Sequence, residues 1–115
     1  MGVGFATMIE PLVRRQIFPS EEQAARALVQ DYVLRQITAL KREVSRMERK
    51  YGMRFDQFGE YLHARSELLE GKTLAPDQRR TLGQAIMREE DDWLTWKASH
   101  EMLANWLDLR QEVAR

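Results

Sequence analysis

The chain has 115 residues, 43% of them apolar, with 18 Lys and Arg balanced by 18 Asp and Glu and no Cys. That is enough for one core, and it excludes disulfides, thiolate catalysis and zinc–cysteine sites. Charge is uneven: residues 1–54 hold ten basic against six acidic side chains (+4), and residues 55–115 hold eight against twelve (−4).

A short first helix is expected from about Thr7 to Gln16, with Ile9, Leu12 and Val13 on its apolar face and Thr7 as cap. Pro11 is tolerated in a first turn, where N–H groups have no intrahelical acceptor. Ser20-Glu21-Glu22-Gln23 has the form of a capping box. The second helix starts there and runs from Glu21 to about Tyr51, ending at Gly52. Along it Val29, Val33, Ile37, Leu40, Val44, Met47 and Tyr51 are spaced 4-4-3-4-3-4, the seam of a helix that lies along other helices.

A third helix is expected from about Phe55 to Glu70, with Phe55, Phe58, Leu62 and Leu69 on one stripe. Pro76 then stands where a first helical residue would be. The fourth helix runs to the C-terminus with Gly83 as its weak point. It carries two apolar stripes. One is Leu82, Ile86, Glu89, Trp93, Trp96, His100, Leu103 and Leu107; the other, nearly opposite, is Met87, Leu94, Ala98, Met102, Trp106, Leu109 and Val113. A helix apolar on two faces has to be covered on both. At ~1.5 Å per residue this one would be roughly 57 Å long, against a radius of gyration near 13–14 Å for a compact domain of this size.

The expected architecture is therefore all-α: a single helical domain over 1–115, an antiparallel or coiled-coil-like bundle of about four helices. Its segments are 1–19 (short helix and turn), 20–52, 54–71 and 75–115. A homodimer is the cheapest cover for the surplus apolar surface. Its seam would use Val33, Ile37, Leu40, Val44, Met47, Tyr51, Trp93, Leu103 and Leu107.

Little of the chain points to chemistry. Glu60 and His63, with Glu67 one turn on, have a Glu-x-x-His spacing but fall off the core stripe, so they read as a solvated face. Glu89, Glu90, Asp91 and Asp92 point around the helix, which makes a poor cage for one cation; they read as solvated surface, with a docking patch for a basic partner as the functional alternative. They are also placed to pair with Arg42, Arg46, Arg49 or Lys50. Glu89 and His100 interrupt the first stripe and would meet across an antiparallel pair of such helices. That contact would be register-fixing, or else a metal or proton site at an interface. No phosphate loop, Ser/His/Asp set or metalloprotease motif is present, so neither an enzyme, a cofactor nor a small-molecule substrate is expected. No apolar run approaches the ~18 residues of a membrane span. Met1–Phe5 lacks the basic start of a secretory signal, which makes the cytoplasm the expected location, without a membrane partner.

The stretch Leu12-Val13-Arg14-Arg15-Gln16-Ile17-Phe18-Pro19-Ser20-Glu21-Glu22-Gln23-Ala24-Ala25-Arg26-Ala27-Leu28 resembles the helix–turn–helix portion of small prokaryotic ribbon-helix-helix antitoxins. Arg49-Lys50-Tyr51-Gly52-Met53 with Phe55, and Glu89 to Leu94 with Trp96-Lys97, look similar to uncharacterised helical proteins of bacteria and archaea. The resemblance implies a chain encoded beside a toxin-like partner and inhibiting it through a C-terminal segment. Gly2-Val3-Gly4-Phe5 departs from the polar strand with which such antitoxins read DNA. On this reading the fourth helix binds the partner, with Trp96 and Trp106 as anchors and Glu90, Asp91 and Asp92 neutralising basic groups. The alternatives are a self-contained homo-oligomeric scaffold, a DNA-binding regulator using Arg14, Arg15, Arg42, Arg46 and Lys50, and a metal-binding bundle using Glu60, His63, Glu89 and His100.

Overall fold

The computed structural model describes residues 3–114, and within them all side chains but those of Val3, Phe5 and Ala6. The described residues form four helices: α1 (Val3–Arg14), α2 (Glu21–Tyr51), α3 (Phe55–Glu70) and α4 (Pro76–Ala114). No strand occurs among the described residues, and the protein is all-α as its periodicity requires. Met1, Gly2 and Arg115, which the expected outer segments and the N-terminal reading include, lie outside the described residues.

α1 departs most from expectation. It begins at Val3 and stops at Arg14, so Pro11 lies inside the helix and Thr7 is no cap. The chain leaves α1 through Gln16, whose φ of 59° is in the left-handed region. The Gln16 N–H donates to Val13 O (3.0 Å) and the Ile17 N–H to Leu12 O (2.9 Å). These are the two bonds of a Schellman closure, here with a non-glycine residue at the left-handed position.

The other boundaries follow their local signals. The Gln23 N–H donates to Ser20 Oγ (3.1 Å), satisfying an orphan donor at the start of α2. α2 ends at Gly52, at φ 64°, whose N–H reaches Glu48 O at 2.7 Å. Gln57 accepts from the Arg54 N–H (2.9 Å) before α3, and Gln78 from the Ala75 N–H (3.1 Å) before α4. α4 runs 39 residues without a break at Gly83, because one glycine costs only about 1 kcal/mol in a long helix.

The chain forms two compact units: Met1–Thr38 with Ala104–Arg115, and Ala39–Leu103. In the first, Ile9, Ala24, Val33 and Ile37 are buried, and the Tyr32 and Trp106 rings meet edge to face at 5.8 Å. In the second, Met47, Phe58, Leu62 and Trp96 form the core, with Val44, Tyr51, Met53, Phe55, Tyr61 and Trp93 packed against it. The Phe58 ring lies 4.2 Å from Tyr51 and 5.4 Å from Trp96, centroid to centroid.

Part of the expected oligomer seam is spent inside the chain. Val33, Ile37 and Met47 are buried, while Leu40, Val44, Tyr51, Trp93, Leu103 and Leu107 are half-buried. Heptad spacing specifies a helical neighbour, and the chain's own helices supply it.

Candidate functional site

α4 separates its two stripes cleanly over the second unit. The inner one buries Ile86, Glu89 and Trp96. The outer one leaves Met87, Leu94 and Met102 at 68%, 58% and 50% exposure, with Ala98 exposed between them. Their spacing of 7, 4 and 4 residues keeps all four on one outward strip. Of the other expected members, Trp106 and Val113 are half-buried and Leu109 is exposed. Trp96, expected as a partner anchor, is 0% exposed and belongs to the core. Indole bulk at helical spacing does not tell a core from an interface; only the depth of the surrounding contacts does.

The acidic run divides by direction. Glu90 and Asp91 are exposed. Asp92, read both as a partner contact and as a possible pair for Lys50, takes the second role: it accepts from Lys50 Nζ at 2.6 Å and from the Tyr51 hydroxyl. Burial pushes the Asp92 carboxyl up, but the hydrogen bonds from Lys50 and Tyr51 outweigh it and hold the group below its ordinary range. Burial, reinforced by the bond to Asp92, pushes the Tyr51 phenol well above its ordinary range.

Within one protomer Glu89 and His100 take different partners. Glu89 Oε1 meets the Arg65 guanidinium at 2.8 Å, with the two side chains only 12% and 27% exposed. Glu89 Oε2, Arg65 Nε and the Trp96 indole N–H are buried without a protein partner. Arg65 also lies over the Tyr61 ring at 4.9 Å. His100 stacks on Phe55 at 4.9 Å. A buried carboxylate takes the nearest available cation, and α3 presents Arg65, three residues after the buried Leu62.

Between α3 and α4 lies an open groove of about 320 Å³, lined by Gly59, Leu62, His63 and Ser66 on one side and Glu90, Trp93 and Leu94 on the other. A methyl group on Gly59 would stand 3.6 Å from the Trp93 indole nitrogen, so glycine leaves the groove open over the ring. Phe55 stacks on Trp93 at 5.9 Å, and Lys97 Nζ sits 5.3 Å from its centroid. Exposed Asp56, Glu60, His63, Glu67 and Glu70 follow one another along α3 at 4-3-4-3 spacing, a single charged flank.

Within that flank His63 pairs with Glu67 at 3.0 Å. Glu60 and His63 are not gathered with Glu89 or His100, and no group of three metal-capable side chains occurs among the described residues. Of the basic residues weighed for DNA, Arg14 pairs with Glu10 (3.6 Å), Arg46 with Glu43 (2.6 Å) and Lys50 with Asp92 (2.6 Å).

The groove and Arg65 escaped the sequence reading. A cation next to an apolar helical stripe, facing an acid inside another stripe, is the signal that could have found the Arg65–Glu89 pair. Comparison with protein-family models, with curated proteins and with solved structures finds no match to this chain. No helix among the described residues is long and apolar enough to cross a membrane.

Proposed function

We propose that this chain is a non-enzymatic protein-binding module, an antitoxin-like cytoplasmic inhibitor that engages a toxin-like partner through α4. The observation that carries the reading is the outward strip of Met87, Leu94, Ala98 and Met102, left in solvent by a protomer whose inner stripe buries Ile86, Glu89 and Trp96. Contiguous exposed apolar surface of this kind marks protein contacts. Leu94 and Met102 replace Trp96 as the anchors, and Glu90 and Asp91 supply the acidic contacts that Asp92 does not.

The test is co-expression with the product of the neighbouring gene, scored by co-purification and by relief of growth arrest. The variant Met87→Gln/Leu94→Gln/Met102→Gln, at exposed positions, should keep its helical circular dichroism and lose both. A wild-type chain that neither binds nor protects overturns the proposal, as does a triple variant that performs like the wild type.

A second reading, self-association, draws on the first unit. Leu28, Val29, Tyr32 and Leu34 are exposed there, while Arg26 pairs with Glu22 (3.4 Å) and Arg35 with Asp31 (2.9 Å) on the same helix. A surface whose charges are already neutralised meets a second copy of itself without like-charge repulsion. Sedimentation of the wild type against Val29→Ser/Tyr32→Ser decides it: a dimer that the substitutions dissociate supports the reading, and a monomeric wild type removes it.

A further inference from the structure

We infer that the groove between α3 and α4 seats an apolar side chain from a basic amphipathic helix of the partner protein. This inference rests on the protein-binding reading and specifies what that reading leaves open. The floor of the groove is apolar: Gly59, Leu62, Trp93 and Leu94. Its volume of about 320 Å³ admits one large aliphatic or aromatic residue. Helices recognise such clefts by laying down a stripe of anchors at three- and four-residue intervals, and the outward strip of α4 continues the apolar track beside it.

Charge selects the occupant. The α3 flank carries Asp56, Glu60, Glu67 and Glu70, of which Asp56 lies 3.9 Å from Arg54 and Glu67 pairs with His63, and exposed Glu90 and Asp91 extend the same sign onto α4. Among these, His63 is already turned to Glu67, and Lys97 lies over the Trp93 ring. A partner helix therefore gains by carrying Lys or Arg beside its anchors, and an acidic one is repelled.

A second copy of this chain fits poorly. Its exposed basic stripe on α2, Arg42, Ser45, Arg46 and Arg49, holds no apolar side chain to fill the groove. A parallel docking of α4 on α4 would set Glu90 and Asp91 against themselves, so the surface best matched in charge is a basic one from another protein.

The probes are three fluorescent synthetic helices of equal length. All share one leucine stripe, and their polar positions are Lys, Gln or Glu. Anisotropy is read with the wild type, with Leu94→Asp and with Glu60→Lys/Glu67→Lys. The Lys helix should bind about tenfold more tightly than the Gln helix, and the Glu helix least. Raising salt from about 0.05 to about 0.5 M should erase most of that preference, because exposed charges are screened.

Leu94→Asp adds a negative charge and should nevertheless weaken the Lys helix about tenfold, which separates seating in the groove from adhesion to an acidic surface. The charge reversal should bring the Lys and Gln helices together. A Gln helix that binds the wild type as tightly as the Lys helix overturns the basic-partner inference while helix docking stands. Lys-helix binding that Leu94→Asp leaves intact overturns the groove. Binding of no helix overturns the inference as well, and the neighbouring-gene test then decides the protein-binding reading by itself. A wild-type dimer that Leu94→Asp dissociates hands the groove to a second copy and overturns the inference too.

Discussion

Removing the cation from the buried pair between α3 and α4 has a cost that can be bounded in advance. In Arg65→Met the guanidinium that meets Glu89 Oε1 at 2.8 Å is lost, and a carboxylate only 12% exposed is left without its counter-ion. Breaking a buried pair in this way costs about 3–5 kcal/mol.

The opposite deletion, Glu89→Leu, strands an arginine that is 27% exposed and can turn to water, so its cost is lower, about 1–2 kcal/mol. The double replacement Arg65→Met/Glu89→Leu should return to within about 1 kcal/mol of the wild type or exceed it, since no charge is left buried alone. Urea unfolding of the four proteins at pH 7, followed by circular dichroism, closes the cycle. An Arg65→Met deficit under about 1 kcal/mol, or a double variant as damaged as the two singles combined, refutes the reasoning.

Trp96→Ala should cost about 3–5 kcal/mol through the cavity it opens among Met47, Phe58 and Leu62; a loss under about 1 kcal/mol in urea unfolding would show that the core is not as close-packed as described. Gln16→Gly should raise stability by up to about 1 kcal/mol, because its φ of 59° suits glycine, and a fall in the thermal midpoint would contradict the left-handed turn. The lowered Asp92 group contributes stability that is present above its unfolded pKa of about 3.9 and lost as pH falls through the folded value. Asp92→Asn should therefore flatten the acid limb of stability against pH, and an unchanged limb counts against the Lys50–Asp92–Tyr51 cluster. In alkaline titration the Tyr51 phenol should ionise above an ordinary tyrosine, its stabilising share being lost as pH rises past about 10; ultraviolet absorbance of wild type against Tyr51→Phe measures it.

Local chemistry made most boundaries readable in the amino-acid order. Ser20, Gly52 and Pro76 each act within one turn of the backbone, and α2, α3 and α4 begin and end where they require. α1 was misplaced because Pro11 was assigned to a first turn, whereas it lies inside the helix, three residues before Arg14 ends it and the chain closes at Gln16. The two stripes of α4 were visible, and which of them faces solvent follows only from tertiary packing, which no periodicity encodes. Trp96, and Asp92 in one of its two readings, were assigned outward for that reason. Glu89 was recognised as an intruder in an apolar stripe, but its partner lies on another helix, 24 positions away in the chain, beyond the reach of spacing arguments.

The placement of the indoles equips each compact unit with its own optical reporter. Trp93 and Trp96 fall within Ala39–Leu103, and Trp106 falls within Ala104–Arg115, beside Tyr32. Leaving Trp106 as the sole fluorophore, with phenylalanine at the other two sites, follows the melting of the first unit by emission colour alone. Restoring only Trp96 follows the second, so a calorimetric trace can be apportioned between them without attaching any dye.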